Sequence, residues 1–307
     1  MKILVIGGSY FLGRVFTMLA AADNDVTVLN RGTYSMEEFG AGNITADRHD
    51  PEALRVLAKE AFDVVVDFCA YCQGDIEGMV KNLPLSVKQY VFISTVDVYR
   101  KWTHRILDEN APLEERRFGG ENGEYIWQKI LLERELKEVC RQRGIAYTIV
   151  RPAILYGPFN YAMRESVYVQ MACQNQEILC PVGAAGRFQP VYVKDAAAMV
   201  LALCKNAAAM NEAYNLAGDA VDYEGFLDAF AEASKGALHM KKVSVYDENL
   251  EKNKLFVPFP FTEEETEVYD GRKILRDTGL FWTPLSEGLE KTWRIFSGLY
   301  GGAGERS

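Results

Sequence analysis

The stretch Ile6-Gly7-Gly8-Ser9-Tyr10-Phe11-Leu12-Gly13-Arg14 closes the first apolar run of the chain, Lys2–Ile6. A buried strand, a glycine turn and an apolar-periodic helix over Phe11–Ala22 follow one another without a gap. Gly7 permits the tight turn, Gly8 adds backbone freedom one residue into it, and Gly13 permits close packing of helix on sheet. The helix N-terminus that follows offers unpaired N–H groups to an anion. Ser9, Tyr10, Phe11 and Leu12 complete a candidate loop for the pyrophosphate of a dinucleotide. Tyr10 stands where the middle glycine of such loops usually lies, so its side chain must point outward to leave the phosphates room.

The same alternation continues along the first half. Strands are expected at Asp25–Leu29, Asn43–Ala46, Asp63–Asp67, Gln89–Ser94 and Ala146–Val150, with a helix from Pro51 capped by Asp50. Continuous Val/Ile runs separated by helices imply a parallel sheet covered on both faces. Right-handed crossovers then give an α/β, doubly wound Rossmann-like sheet. After Arg151-Pro152 the pattern is mixed, with helices expected at Ser166–Asn175, Ala196–Asn206 and Tyr223–Ser234. The segment Leu255–Phe261 reads as extended, and Glu263–Glu267 as a solvated acidic run. Residues 1–156 are assigned to the dinucleotide-binding domain, with parts of 187–220 packing back on it. Residues 157–307 form mainly a smaller C-terminal substrate-binding lobe.

The composition sets limits on function. Of 307 residues, 49% are hydrophobic and 25% charged, the balance of a globular enzyme. A net charge of −9 argues against nucleic acid as the main partner, because neutralising phosphates needs a basic surface. The opening apolar run is too short for a signal peptide and no stretch of about 18 apolar residues could cross a bilayer, so the expected location is cytoplasmic and no membrane partner is expected. Six scattered cysteines fit a reducing compartment. Cys69-x-x-Cys72 lacks a second ligand pair, so it is read as structural and no metal site is assigned.

Further nucleotide contacts are expected at the strand ends. NAD-binding sheets place a carboxylate after the second strand for the ribose hydroxyls, whereas an arginine accommodates a 2′-phosphate. This chain carries Asn30 and Arg31 there, which favours NADP over NAD. Asp47, followed by Arg48, is placed for hydrogen bonding to an adenine amine, although capping of the next helix suits it equally. Phe68, Cys69 and Ala70 follow the fourth strand, where small residues let a cofactor lie across the sheet edge.

Tyr125-x-x-x-Lys129 carries the chemistry. At helical spacing the phenol and the ammonium share one face. A tyrosine is a poor base at neutral pH, and a neighbouring cation favours its phenolate. Ser94-Thr95 ends the fifth strand, where a hydroxyl can hold the substrate oxygen whose proton Tyr125 transfers. A strand-end threonine, a loop of about thirty residues and a helix bearing Tyr and Lys form one catalytic constellation.

The stretches "IGGSYFLGR", "STVDVY", "YIWQK", "RPAILYGP" (Arg151–Pro158), "PVYVKDAA" (Pro190–Ala197), "YNLAG" (Tyr214–Gly218) and "LRDTGLFWTPLSEGLEKTW" (Leu275–Trp293) resemble an extended short-chain dehydrogenase/reductase of the NAD-dependent epimerase/dehydratase family. The turn without a middle glycine is similar to a subgroup with the motif G-G-T-R-F-L-G, which includes epimerases, reductases and chloroplast stem-loop RNA-binding relatives. The resemblance implies that Thr95, Tyr125 and Lys129 form a catalytic triad, that Pro152 lies near the nicotinamide, and that the lobe after Gly157 binds a nucleotide sugar or a similar small molecule. Asp97, Ala153, Arg187 and Gln189 are the implied substrate contacts. Arg164, Lys194 and Arg187 are candidates for a diphosphate clamp. A homodimer is among the assemblies such a chain can form. Thr95-Val96-Asp97 keeps one of the two acids found after this strand in the family's dehydratases, which favours epimerisation or carbonyl reduction. A cofactor-sensing or RNA-associated binding protein on the same fold is the alternative.

Overall fold

The computed structural model describes residues 1–101, 105–248, 250, 259–266 and 268–301. The strands of the first half are β1 (Lys2–Ile6), β2 (Asp25–Asn30), β3 (Gly42–Thr45), β4 (Val64–Asp67), β5 (Gln89–Ile93) and β6 (Ala146–Pro152). The strands that follow are β7 (Ile154–Tyr156), β8 (Ile178–Val182), β9 (Arg187–Phe188), β10 (Pro190–Tyr192), β11 (Glu212–Leu216), β12 (Val221–Asp222) and β13 (Met240–Ser244). Seven of them form one parallel sheet in the order β11-β6-β5-β4-β1-β2-β3. The order turns back at β1, with β2 on one side and β4 on the other. That reversal opens a crevice at the carboxyl ends of the strands, where ligands bind in such sheets.

The central strands β4 and β5 are buried at every position and β1 at all but Lys2, because both faces of the sheet are covered there. Ile3, Val5, Val26, Val28, Val64 and Val66 pack toward α1 (Phe11–Ala20) and α6 (Val193–Leu203). The alternate residues Leu4, Ile6, Leu29, Val65, Tyr90 and Phe92 pack toward α3 (Asp75–Asn82) and α4 (Gly120–Arg143). A separate core holds the second lobe together, built on Tyr168 and Val169 of α5 (Glu165–Cys173), Phe226 and Phe230 of α7 (Tyr223–Ala233), Phe188, and Leu289 and Phe296 of the terminal helix Leu285–Gly301.

Several expectations shift. The third strand begins one residue earlier than its apolar residues suggest, and β6 runs on through Pro152. Strand β11 was not anticipated, since Glu212, Tyr214 and Asn215 break the apolar run. It earns its place in tertiary contacts: the Asn215 carboxamide accepts from Tyr99 Oη at 2.7 Å and donates to the carbonyls of Leu107 and Asp270. The helix α2 (Pro51–Leu54) starts where Asp50 caps it, the carboxylate accepting from the N–H groups of Glu52 and Ala53. Glu263–Glu265 form a single 3₁₀ turn, while Glu267 and residues 255–258 lie outside the described residues. Phe259 is buried and stacks on Phe188 with centroids 4.5 Å apart.

The glycine turn is held by close approach. Gly7 has φ +77°, and a Cβ on it would sit 2.7 Å from Cys69. A Cβ on Gly13 would meet the Gly7 carbonyl oxygen at 2.9 Å. Gly8 serves packing as much as freedom, because a Cβ there would lie 2.5 Å from both Val5 Cγ1 and Thr17 Oγ1. The buried Thr17 hydroxyl hydrogen-bonds the carbonyls of Gly8 (3.0 Å) and Gly13 (2.8 Å), tying turn to helix. Gly8→Ala is therefore expected to lower the free energy of unfolding by about 1–3 kcal/mol, the usual cost of overpacking. Urea titration of the variant against the parent chain measures it.

Candidate active site

A cavity of about 1480 Å³ lies at the carboxyl ends of the central strands, with Gly7, Ser9, Leu12 and Gly13 on its floor. Tyr10 is the residue before α1, in extended conformation, and no side chain caps the first N–H groups of that helix. Those donors are left for an anion. The Tyr10 ring is half-exposed and stands edge-on to Tyr34, centroids 5.3 Å apart, at the cavity rim. Phe11 holds φ +34°, and its ring meets Tyr161 edge-on at 6.2 Å.

The next wall is formed by the ends of β2, β3 and β4. Asn30 shapes its own loop, its carboxamide donating to the Tyr34 carbonyl at 2.9 Å and accepting from Gly32 N–H at 2.8 Å. Arg31 is exposed on the cavity wall and makes no hydrogen bond or ion pair among the described residues. Arg48, expected to contact cofactor, spends its guanidinium differently: both terminal nitrogens donate to Asp67, at 3.1 and 2.9 Å. Asp67 is fully buried and also accepts from Tyr90 Oη at 2.6 Å, so the arginine is required where it is. Only the surface that Arg48 leaves in the lining faces a ligand. Phe68 and Cys69 line the cavity, and burial pushes the Cys69 thiol up to about 12, which removes it from thiolate chemistry. Ala70 lies behind this wall, its carbonyl turned to Lys129.

Helix α4 brings Tyr125 and Lys129 to the far wall, which they share with Thr95 and Asp97. Lys129 is buried, and its ammonium donates to the carbonyls of Ala70 (3.0 Å) and Ile93 (2.9 Å). The same nitrogen lies 5.7 Å from the centroid of Tyr125 and 5.1 Å from that of Tyr71. Burial brings its pKa down to about 8. Tyr125 keeps 40% of its surface exposed, yet burial of its hydroxyl end, with Asp97, Tyr71 and Tyr161 nearby, pushes the phenol upward; Arg164 opposes this. This direction is opposite to the lowering expected from Lys129. Thr95 Oγ1 donates to Asp97 Oδ2 at 2.9 Å and accepts from the Asp97 N–H at 3.2 Å, which fixes its rotamer at the strand end. Ser94 lines the cavity but directs its hydroxyl away, to buried Glu133 at 2.7 Å. Glu133 in turn pairs with Arg151 at 2.9 and 2.6 Å, which locks α4 onto β6.

Pro152 and Ala153 line the cavity beside this group. Arg187 and Gln189 do not. The Arg187 guanidinium donates to the Ala220 carbonyl in the short antiparallel pair of β9 with β12. Gln189 is buried and its carboxamide is consumed by Gly218 O, Tyr269 O and Tyr269 N–H. Of the three clamp candidates only Arg164 faces the cavity; Lys194 lies outside the lining. The unanticipated neighbours are Tyr71, Lys101, Asn122 and Tyr161, with Phe259, Pro260, Glu264 and Glu265 from the C-terminal region. Asn122 carried a readable signal, since it lies one turn before Tyr125 on the same helix. The others arrive by chain return, which has no local pattern.

The Lys129 amine generates a pH test. Between about pH 8 and its ordinary 10.5, the unfolded chain holds a proton that the folded chain has released, so the folded state gains stability as pH rises. Lys129→Met lacks this titration. The stability of the parent chain relative to that variant is expected to grow by about 1–3 kcal/mol from pH 7 to pH 10, read from paired urea titrations.

Comparison with known proteins places this architecture. The chain is 27% identical over 252 residues to the chloroplast stem-loop binding protein of 41 kDa b from Arabidopsis thaliana, covering 76% of this chain and 63% of that protein's length. Its fold matches UDP-glucose-4-epimerase from Stenotrophomonas maltophila with bound NAD (TM-score 0.77, 15% identity, 97% of this chain and 98% of that one). It also matches UDP-glucuronic acid 4-epimerase from Bacillus cereus in complex with UDP-glucuronic acid and NAD (TM-score 0.74, 16% identity, 98% of this chain and 100% of that one). No helix among the described residues is long and apolar enough to cross a membrane. Residues 76–217, which span α3 through β11 and include Thr95, Tyr125 and Lys129, match the model of the NAD dependent epimerase/dehydratase family.

Proposed function

We propose that this chain is an NAD(P)-dependent oxidoreductase or epimerase that acts on a hydroxyl or keto carbon of a nucleotide sugar or similar small molecule. One observation carries the reading: Thr95, Tyr125 and Lys129 meet on the wall of the same cavity whose floor is the glycine turn. The residues fit a dinucleotide. A side chain at Gly7 or Gly13 would collide with its neighbours, and α1 presents uncapped N–H groups beside them. The cavity exceeds the roughly 300–1,000 Å³ typical of one small ligand, which leaves space for a substrate next to a cofactor. The two UDP-sugar epimerases of like fold support a nucleotide-sugar substrate. Arg31, which makes no hydrogen bond or ion pair among the described residues and has Asn30 rather than a carboxylate before it, supports NADP(H).

A bound nicotinamide would supply hydride exchange at the substrate carbon. The chain's own share is positioning and proton management. Thr95 holds the substrate oxygen. Tyr125 gives a proton to that oxygen or takes one from it, and its raised pKa suits the donor role. Lys129 holds the loop after β4 against β5 and sets a positive charge beside the phenol. An RNA-associated binding protein, suggested by the name of the chloroplast relative, would need no such constellation, and the −9 charge disfavours it.

Thermal-shift titration with NAD⁺, NADH, NADP⁺ and NADPH is the first test, with the NADP pair expected to stabilise most. No shift with any of the four would remove the enzyme reading. Turnover is then sought with a panel of UDP-sugars. Tyr125→Phe is expected to lower kcat by about 10²–10⁴-fold while leaving dinucleotide affinity within about threefold.

A further inference from the structure

His49 lines the cavity at the end of β3 and bridges two carboxylates. Its Nδ1 lies 3.1 Å from Asp47 Oδ1, and its Nε2 lies 2.8 Å from Asp75 Oδ1. Ionised carboxylates only accept, so both contacts are hydrogen bonds only while both ring nitrogens carry protons. The His49 backbone N–H also donates to Asp47 Oδ1 at 2.9 Å, which leaves Asp47 Oδ2 for a ligand in the cavity. Asp75 is an anchored partner. It is buried, and its Oδ2 accepts from the N–H groups of Tyr71 (2.8 Å) and Cys72 (3.1 Å).

We propose that His49 is a positioning residue for the dinucleotide: its imidazolium form holds Asp47 in place for the adenine amine, and the hold weakens when the ring loses its proton. The inference rests on the dinucleotide reading above. The charged groups around His49 are consistent with it. Asp47 and Asp75 flank the ring directly. Arg48 is turned away onto Asp67, with Nε 4.0 Å from Asp75 Oδ2, and Arg31 acts on Asp47 from the end of β2. Asp50 is engaged in capping α2. The His49 backbone N–H, then its ring, then Arg31 hold the Asp47 carboxyl below its usual range. Against burial, the Tyr71 and Cys72 N–H groups and His49 do the same for Asp75. Both carboxylates are therefore held in the ionised, accepting form.

The experiment titrates the full chain with NADH and with NADPH at pH 5.8 and pH 8.3, following cofactor fluorescence, for the parent and for His49→Gln. Glutamine's amide reaches one carboxylate at most and does not titrate. The parent's affinity for both dinucleotides is expected to fall about threefold at the higher pH, a change on the scale of one half-exposed ion pair. His49→Gln is expected to bind more weakly at pH 5.8 and to show a shallower pH slope with NADH than the parent, keeping only the part that Lys129 contributes to both. Thermal unfolding at both pH values confirms that the variant is folded, as its exposed position predicts. An equal slope with NADH in parent and variant overturns the proposal. So does a slope confined to NADPH, which would mean direct contact between the imidazolium and the 2′-phosphate. Absence of binding by either dinucleotide at both pH values removes the dinucleotide reading itself and the inference with it.

Discussion

The buried ammonium of Lys129 is the point on which the site depends. It donates to two backbone carbonyls, one in the loop after β4 and one on the last residue of β5. An unpaired carbonyl in that position would be costly, and a charge without partners costlier still. Meeting both needs with one side chain fixes the distance between two strand ends and a long helix. Tyr125, one turn earlier on that helix, is thereby held at the cavity wall beside Thr95. The low pKa of the amine is the other face of this arrangement, since little solvent remains to favour its charge.

A second buried network braces the same helix from behind. Ser94, Glu133, Arg151, Tyr99 and Asn215 form a continuous chain of hydrogen bonds from the end of β5 through α4 and β6 to β11. All five are nearly or fully buried, so every polar atom in the chain needs its partner. A third network, Arg48 with Asp67 and Tyr90, underlies the wall of the cavity beside the glycine turn. Polar side chains at strand ends thus divide into those that face the ligand and those that hold the ones that do. Thr95 and Ser94 are adjacent in sequence and fall on opposite sides of that division.

Much of this was legible in the sequence because its cause is local. The parallel sheet follows from apolar runs covered on both faces, the turn from glycines at Gly7 and Gly13, and the shared face of Tyr125 and Lys129 from helical spacing. The cap at Asp50 was equally plain. Three kinds of feature were not legible. Arg48 and Gln189 resemble ligand contacts by residue type, and only their partners reveal that they are structural. Strand β11 is disguised because its polar residues are satisfied by distant ones. Tyr71, Tyr161 and the Phe259–Glu265 segment reach the cavity through long returns of the chain.

Sequence by itself determined the first six strands of the parallel sheet, the glycine cradle and the helical pairing of the tyrosine with the lysine, because these depend on neighbours a few residues apart. Tertiary structure alone decided which polar groups remain for a ligand. That depends on partners tens of residues away, such as Ala70 and Ile93 for Lys129, Asp67 for Arg48, and Asp75 for His49. A buried hydrogen-bonding group is committed by whichever partner reaches it, and no local pattern records that choice.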